Sequence, residues 1–396
     1  MASGHVYLDR IRSPAETVER VRPFFSALGI TRVARQTDLD RVGIPCFAAI
    51  RPNSCSIATN QGKGVDDDAA RASAVMEAVE YAVAEHPDRA VLRASPGQML
   101  AEGRAIWNPR RMLPIGHNWA EDAVIGWLAG ERLGPGGEAV FVPADAVAMR
   151  GERPDFPAIC QSTNGLASGN NGAEATFHAV CELVERDAAT LWSLRSIDQK
   201  RARCVSPESF DDPIVLDFVD RFERAGLALR LFDQTTDLGI PTILAVSGPA
   251  ERDFSKHFDI ATGAGTHPFA ARAALRAVTE AAQTRVTSIA GARDDVMPGL
   301  YRIEGAGEAF DLLAATPVTR RFADPVALAG KPDSLLAALL GALVAGGITD
   351  LVSVPLGGER FGVAVVHVLS QTLEDRGPNA NWRPGLRALN LLAPEP

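Results

Sequence analysis

The stretch QSTNGLASGNNGAEATFHAVCELVERDAATLWSLR, from Gln161 to Arg195, opens as a turn rich in Asn, Gly and Ser and then becomes a long, patterned helix. Asn171 followed three residues later by Glu174 reads as a capping box, which predicts the helix start there. At about 100° per residue, Glu174, His178, Glu182 and Glu185 fall within about 80° of one another. Ala175, Ala179, Leu183 and Val184 cover much of the remainder. A helix with its acids crowded on one stripe is either a solvated surface or a cation site. The solvated surface is the commoner outcome, because Glu is a good helix former that is seldom buried.

A second stretch of the same design shifts that balance. Gly62-Lys63-Gly64 leads through Asp66, Asp67 and Asp68 into AARASAVMEAVEYAVAEH, residues 69–86. Ser73, Glu77 and Glu80 stand at i, i+4 and i+7, within about 60° of one face. No Lys or Arg lies between Ser73 and Glu85, whereas a solvated helix normally mixes its charges. Two such helices face to face would offer four carboxylates, Glu77, Glu80, Glu182 and Glu185. Those suit a hard cation such as Mg²⁺, which takes oxygen ligands and often bridges to phosphates.

These residues resemble the YcaO family. The likeness rests on SxxxExxE after GKG (Ser73, Glu77, Glu80), on STNGLASGN followed by ExxER (Glu182, Glu185, Arg186), and on EAAQTR from Glu280 to Arg285. It runs from about Ile30 to Leu300, and the motifs are specific jointly rather than singly. The resemblance implies an ATP- and Mg²⁺-dependent enzyme that modifies backbone amides of a peptide or protein. It implies an α+β, YcaO-like fold of several packed α/β subdomains around a central ATP site. Residues 1–396 would form one domain, with 1–60 and 305–396 as parts of it. Glu77, Glu80, Glu182 and Glu185 would hold Mg²⁺. Lys63, Ser73, Asn170, Glu174, Arg186, Gln283, Arg285 and Arg293 would line the nucleotide pocket, and the protein would be a homodimer.

The individual residues also have plainer readings. GKG lacks the upstream Gly and the hydroxyl of a Walker A loop, so Lys63 is either part of a simple turn or a cation presented at a helix start. Glu174 has the capping box as a competing explanation. Arg10 and Arg12, before a helix opened by Ser13-Pro14, are ordinarily surface residues, although family members can bring a basic residue here to phosphate. In the helix FAARAALRAVTEAAQTRVTSIAG (269–291), Arg276, Glu280 and Gln283 share a face, while Arg285 lies about 140° from Glu280. Helix geometry selects Arg276, and the resemblance selects Gln283 and Arg285.

Composition sets the outer bounds. The chain has 396 residues, 46% hydrophobic and 22% charged, ordinary for a globular protein with a large core. A net charge of −9 without a Lys/Arg block argues against a nucleic-acid surface. No apolar run approaches the roughly 18 residues of a membrane span, and a signal-peptide core is absent. Five cysteines at irregular spacing (Cys46, Cys55, Cys160, Cys181, Cys204) form no disulfide framework, so a reduced, cytoplasmic protein is expected. Cys160 and Cys181 read as small buried hydrophobes, and scattered histidines without HxxxH or HExxH spacing argue against zinc. His178 reads as a hydrogen-bond partner or helix surface.

Along the chain, strands are expected at Ile30–Arg35 and Ile44–Ile50, followed by a polar connection from Arg51 to Gln61. GWLAGERL and EAVFVPADAV suggest a hairpin, and Gly116–Trp119 (GHNW) a polar loop. A helix near Asp212–Ala225, strands at Ala228–Asp233 and Thr242–Ser247, a helix at Leu335–Ala345 and a strand at Arg360–Leu369 complete the reading.

Within the resemblance two outcomes compete. Some members close a Cys, Ser or Thr side chain onto the preceding amide to make an azoline. Others install sulfur to make a thioamide, often with a TfuA partner. Azoline-forming members usually end in PxPxP, of which APEP (Ala393–Pro396) is a fragment. The Gly43-Ile44-Pro45 to Arg51-Pro52 passage, with GHNW, is closer to TfuA-associated members, which favours thioamidation. A non-catalytic peptide-binding scaffold and a small-metabolite kinase are the alternatives of other classes.

Overall fold

The computed structural model describes residues 9–114, 116–117, 121–134, 136–149, 155, 159–293, 306–322, 331–377 and 382–393. Among them three antiparallel sheets carry the fold. The first joins β1 (Arg32–Arg35), β2 (Cys46–Ile50) and β3 (Thr59–Lys63) in that order. The second is formed from β4 (Leu92–Ala94), β5 (Ile125–Arg132), β6 (Ala139–Pro143) and β7 (Leu166–Gly169) together with β12 (Val352–Gly357) and β13 (Ala364–Leu369). Its order is β4-β5-β12-β13-β7, with β6 paired to β5 as the expected hairpin. The third runs β11-β10-β9-β8, from β8 (Cys204–Val205), β9 (Leu227–Asp233), β10 (Thr242–Pro249) and β11 (Ala261–Thr266).

The helices in chain order are α1 (Pro14–Val21), α2 (Asp67–Glu85), α3 (Pro96–Ala101), α4 (Ala144–Val147) and α5 (Gly172–Ser193). They continue with α6 (Ile197–Arg201), α7 (Pro213–Arg224), α8 (Ala270–Ala290), α9 (Ala306–Leu313), α10 (Pro332–Ala345) and α11 (Leu386–Leu392). No helix of the described residues is long and apolar enough to cross a membrane.

One design recurs three times. The edge strand of each sheet runs into a long alanine-rich helix: β3 into α2, β7 into α5, and β11 into α8. In each pair a strand glycine lets the helix backbone come close. A Cβ would lie 2.0 Å from the Ala74 amide nitrogen at Gly62, 2.4 Å from that of Ala175 at Gly169, and 2.2 Å from the Ala273 carbonyl at Gly265. The three helices share one pattern: AVMEAVE (74–80), AVCELVE (179–185) and AVTEAAQ (277–283). Its apolar positions pack inward, with Val75, Val79, Val180, Val184 and Val278 all 1% exposed or less. The fourth and seventh positions carry the acids, except that Gln283 takes the seventh in α8.

Helix α5 is enclosed on several sides, by β7 and β13, by α10 through Leu335, Leu339 and Leu343, and by β11. Its C-terminal half is tied down by Arg387 of α11, which makes two 2.9 Å hydrogen bonds to the buried Asp187. Asp187 also accepts from the Glu374 amide at 2.9 Å.

Three expectations change. The end of the supposed polar connection, residues 59–61, continues with Gly62 and Lys63 as strand β3; TNQGK has little strand propensity, and its burial comes from α2 packed on Gly62. The last strand begins at Ala364, because residues 359–361 form a 3₁₀ turn closed by Gly362 at φ 78°. Cys160 is exposed rather than buried, whereas burial pushes the Cys181 thiol up to about 12. Of the GHNW loop, Asn118 and Trp119 lie outside the described residues.

Candidate functional site

The three acid-bearing helix faces meet around one cavity of about 530 Å³. Glu77, Glu80, Glu182 and Glu185 all line it, as do Lys63, Ser73, Asn170, Glu174, Arg186, Gln283 and Arg293. Arg285 does not. It points to the other side of α8, where its guanidinium bonds Asp259 at 2.6 Å and stands 3.5 Å from Asp40. Because α8 is a regular helix, the rotation that separates Arg285 from Glu280 decides the matter, and Arg276 lines the cavity instead.

Backbone amides orient the carboxylates. Glu77 accepts from the Gln61 amide of β3 at 2.9 Å, and Glu185 from the Thr266 amide of β11 at 3.0 Å. Arg186 reaches Glu182 at 3.4 Å, one turn along α5. On the third helix Glu280 holds Lys63 at 2.6 Å. Thus the GKG lysine belongs to the cavity wall, and Glu280 is a further acid of that wall, which the sequence marks only as a member of a helix face. The AVxExx(E/Q) repeat was the signal that singles it out, with Gln283 in the place of Glu80 and Glu185.

Electrostatically the four glutamates are a crowded set. Burial pushes Glu77 up to about 7 despite the opposing charges of Arg293 and Lys63. Burial, Glu182 and Glu77 raise Glu80 well above the ordinary range. Burial pushes Glu182 up to about 7, with Arg186 opposing and Glu185 reinforcing. Burial and the neighbouring Glu280 raise Glu185. Glu280 goes the other way: burial works against its charge, but Lys63, Arg186 and Arg276 together hold the carboxyl low.

An all-oxygen donor set whose members repel one another fits a hard divalent cation. Among the described residues no three of these glutamates bring ligand atoms within 4.8 Å of one another, whereas Cys55, Glu85 and His86 do so elsewhere. In that second cluster Glu85 is already bonded by Arg51 at 2.6 Å and by Ser54 and Ser56 at 2.5 Å each. The cavity glutamates therefore do not form a closed protein cage. They suit cations that complete their shell with water and phosphate oxygens, as Mg²⁺ does.

The other end of the cavity is assembled by the N-terminal segment. Glu174 accepts from Arg10 at 3.1 Å, from the Ile11 amide at 3.2 Å and from the Asn170 side chain at 3.0 Å. The expected capping box is consequently half made. Asn171 caps the Glu174 amide at 2.8 Å, but the Glu174 carboxylate is spent on these other donors. Thr17 of α1 donates to Asn170 at 3.1 Å. Arg10 and Arg12 both line the cavity; Arg10, half-buried against Glu174, is no ordinary surface residue, whereas Arg12 stays exposed at the rim. His178, 8% exposed, lines it too and is no surface residue.

Comparisons with known proteins bear on the family and the fold. The family model described as YcaO cyclodehydratase, ATP- and Mg²⁺-binding, matches residues 61–374. An uncharacterised protein in the tfuA 3′ region of Rhizobium leguminosarum bv. trifolii is 38% identical over 395 residues, covering 98% of this chain and 93% of that protein. The structure of YcaO from Methanopyrus kandleri bound with AMPPCP and Mg²⁺ superposes with a TM-score of 0.69 at 24% identity, covering 92% of each chain. A heterocyclase in complex with substrate and cofactor superposes with a TM-score of 0.78 at 21% identity over 94% of this chain, which spans about half (53%) of that longer one.

Proposed function

The chain belongs to the YcaO family, and from that premise we propose that it uses Mg·ATP to activate a backbone amide of a peptide or protein, for thioamide formation, with a TfuA-like protein as partner. The observation that carries the reading is the convergence of Glu77, Glu80, Glu182 and Glu185 with Lys63, Arg186 and Arg293 on one cavity. When bound, Mg·ATP supplies the phosphoryl group that turns a poor leaving group, the amide oxygen, into a good one.

The chain's own residues do the positioning. The four glutamates would hold the cations, oriented by the amides of Gln61 and Thr266. Arg186 and Arg293 would neutralise phosphate oxygens, and Lys63, held by Glu280 at 2.6 Å, would add a third positive group. Ser73, Asn170, Glu174 and Gln283 would line the rest of the nucleotide. Phosphoryl transfer depends mainly on such positioning and charge neutralisation. In the net reaction an external sulfide donor replaces the oxygen at the amide carbon, and the oxygen departs with phosphate.

Thioamide over azoline is favoured by the tfuA-region name of the 38% identical relative. The test is incubation of candidate precursor peptides with the protein, its TfuA-like partner, ATP, Mg²⁺ and sulfide, read by mass. Exchange of oxygen for sulfur without loss of water is expected. Loss of one water in place of that exchange would assign the azoline reaction, and ATP turnover without any peptide change would remove both.

A further inference from the structure

Along the lining face of α5, Glu174, His178, Glu182 and Glu185 follow one another, so His178 lies one turn, about 6 Å, N-terminal to Glu182. It is the one member of that series without an assigned partner or cation. Its ring is buried, and neither nitrogen has a hydrogen-bond partner among the described residues. Phe177, edge-on at 5.2 Å, packs against it. Buried polar atoms are nearly always satisfied, and an orphan at the wall of a cavity points to a ligand.

The chemistry of the ring narrows that ligand. Burial, with the charges of Arg10 and Arg276 beside it, holds His178 well below the usual histidine range, so the ring is neutral. A neutral imidazole has one donor nitrogen and one acceptor nitrogen. Phosphate oxygens only accept and would leave the acceptor nitrogen unmet, whereas a hydroxyl can serve either. His267 on the same wall is different. Its Nδ1 accepts from the Phe269 amide at 3.0 Å, which places the proton on Nε2, 3.7 Å from Asp9.

Resting on the Mg·ATP reading, which sets the outer phosphates against Glu182 and Glu185, the sugar of an extended nucleotide falls further toward the N-terminus of α5. We infer that His178 is a specificity-determining residue that hydrogen-bonds a ribose hydroxyl of the bound nucleotide.

The test is calorimetric binding of ATP, 2′-deoxy-ATP and 3′-deoxy-ATP with Mg²⁺ to the full chain, as wild type, His178→Ala and His178→Gln. Wild type should prefer ATP over one of the deoxynucleotides by about three- to thirtyfold, the worth of one buried hydrogen bond. His178→Ala should lose about that factor for ATP and bind the same deoxynucleotide no worse than ATP. His178→Gln, with a donor and an acceptor of its own, should keep part of the preference. Equal binding of all three nucleotides by wild type overturns the inference without any variant. So does full discrimination in His178→Ala, while both results leave the Mg·ATP reading standing. Wild type that binds none of them removes the Mg·ATP reading and the inference together.

Discussion

At the scale of single residues, the cavity glutamates are a cost to the ligand-free protein. Glu77 and Glu182, both pushed up to about 7 from 4.5, bind protons more tightly folded than unfolded. Their favourable contribution is therefore complete below the unfolded value and is lost as pH rises through about 7. Ligand-free protein is expected to lose thermal stability between about pH 5 and about pH 8 relative to a Glu77→Gln/Glu182→Gln double variant. Melting curves across that range check it, and a constant difference between the two proteins would contradict it. The glutamates were legible in the sequence because Glu77 and Glu80 sit on an apolar helix with no Lys or Arg between Ser73 and Glu85, and Glu182 and Glu185 repeat their spacing on a second helix. Arg10 was not, because its partner Glu174 is 164 residues away, a contact that no local pattern records. Arg285 matches the motif but not the helical angle, and α8 is regular enough for the angle to decide.

At the scale of elements, the strand–helix unit depends on glycine contacts. At Gly265 a methyl group would meet the Ala273 carbonyl at 2.2 Å and the Ala277 amide nitrogen at 2.7 Å, backbone atoms that cannot swing aside. Gly265→Ala should therefore cost about 3 kcal/mol by overpacking. Gly341→Ala on α10, where a Cβ meets nothing within 4 Å, should instead stabilise by about 1 kcal/mol, the difference in helix propensity. Thermal or denaturant unfolding of both variants checks the contrast; equal effects would mean that the close approach of β11 and α8 is not what Gly265 serves. The helices were readable from period and capping, and α2, α5 and α8 lie where the sequence places them. Strand β3 was not, since TNQGK is polar and becomes a strand only because β2 pairs with it and α2 covers it.

At the scale of the whole molecule, three sheets each present an edge strand and a following helix, and the three helices close on one cavity. The α+β class and the family were legible from joint motifs, whereas the threefold reuse of AVxExx(E/Q) becomes meaningful only once α8 is seen beside α2 and α5. That arrangement makes the central claim testable in one experiment, Mg²⁺-dependent ATP binding by calorimetry on wild type and on Glu77→Ala. The account predicts binding by wild type that requires Mg²⁺, and a loss of about a hundredfold or more in a variant that keeps its fold by circular dichroism. Undiminished Mg·ATP binding by Glu77→Ala would contradict it.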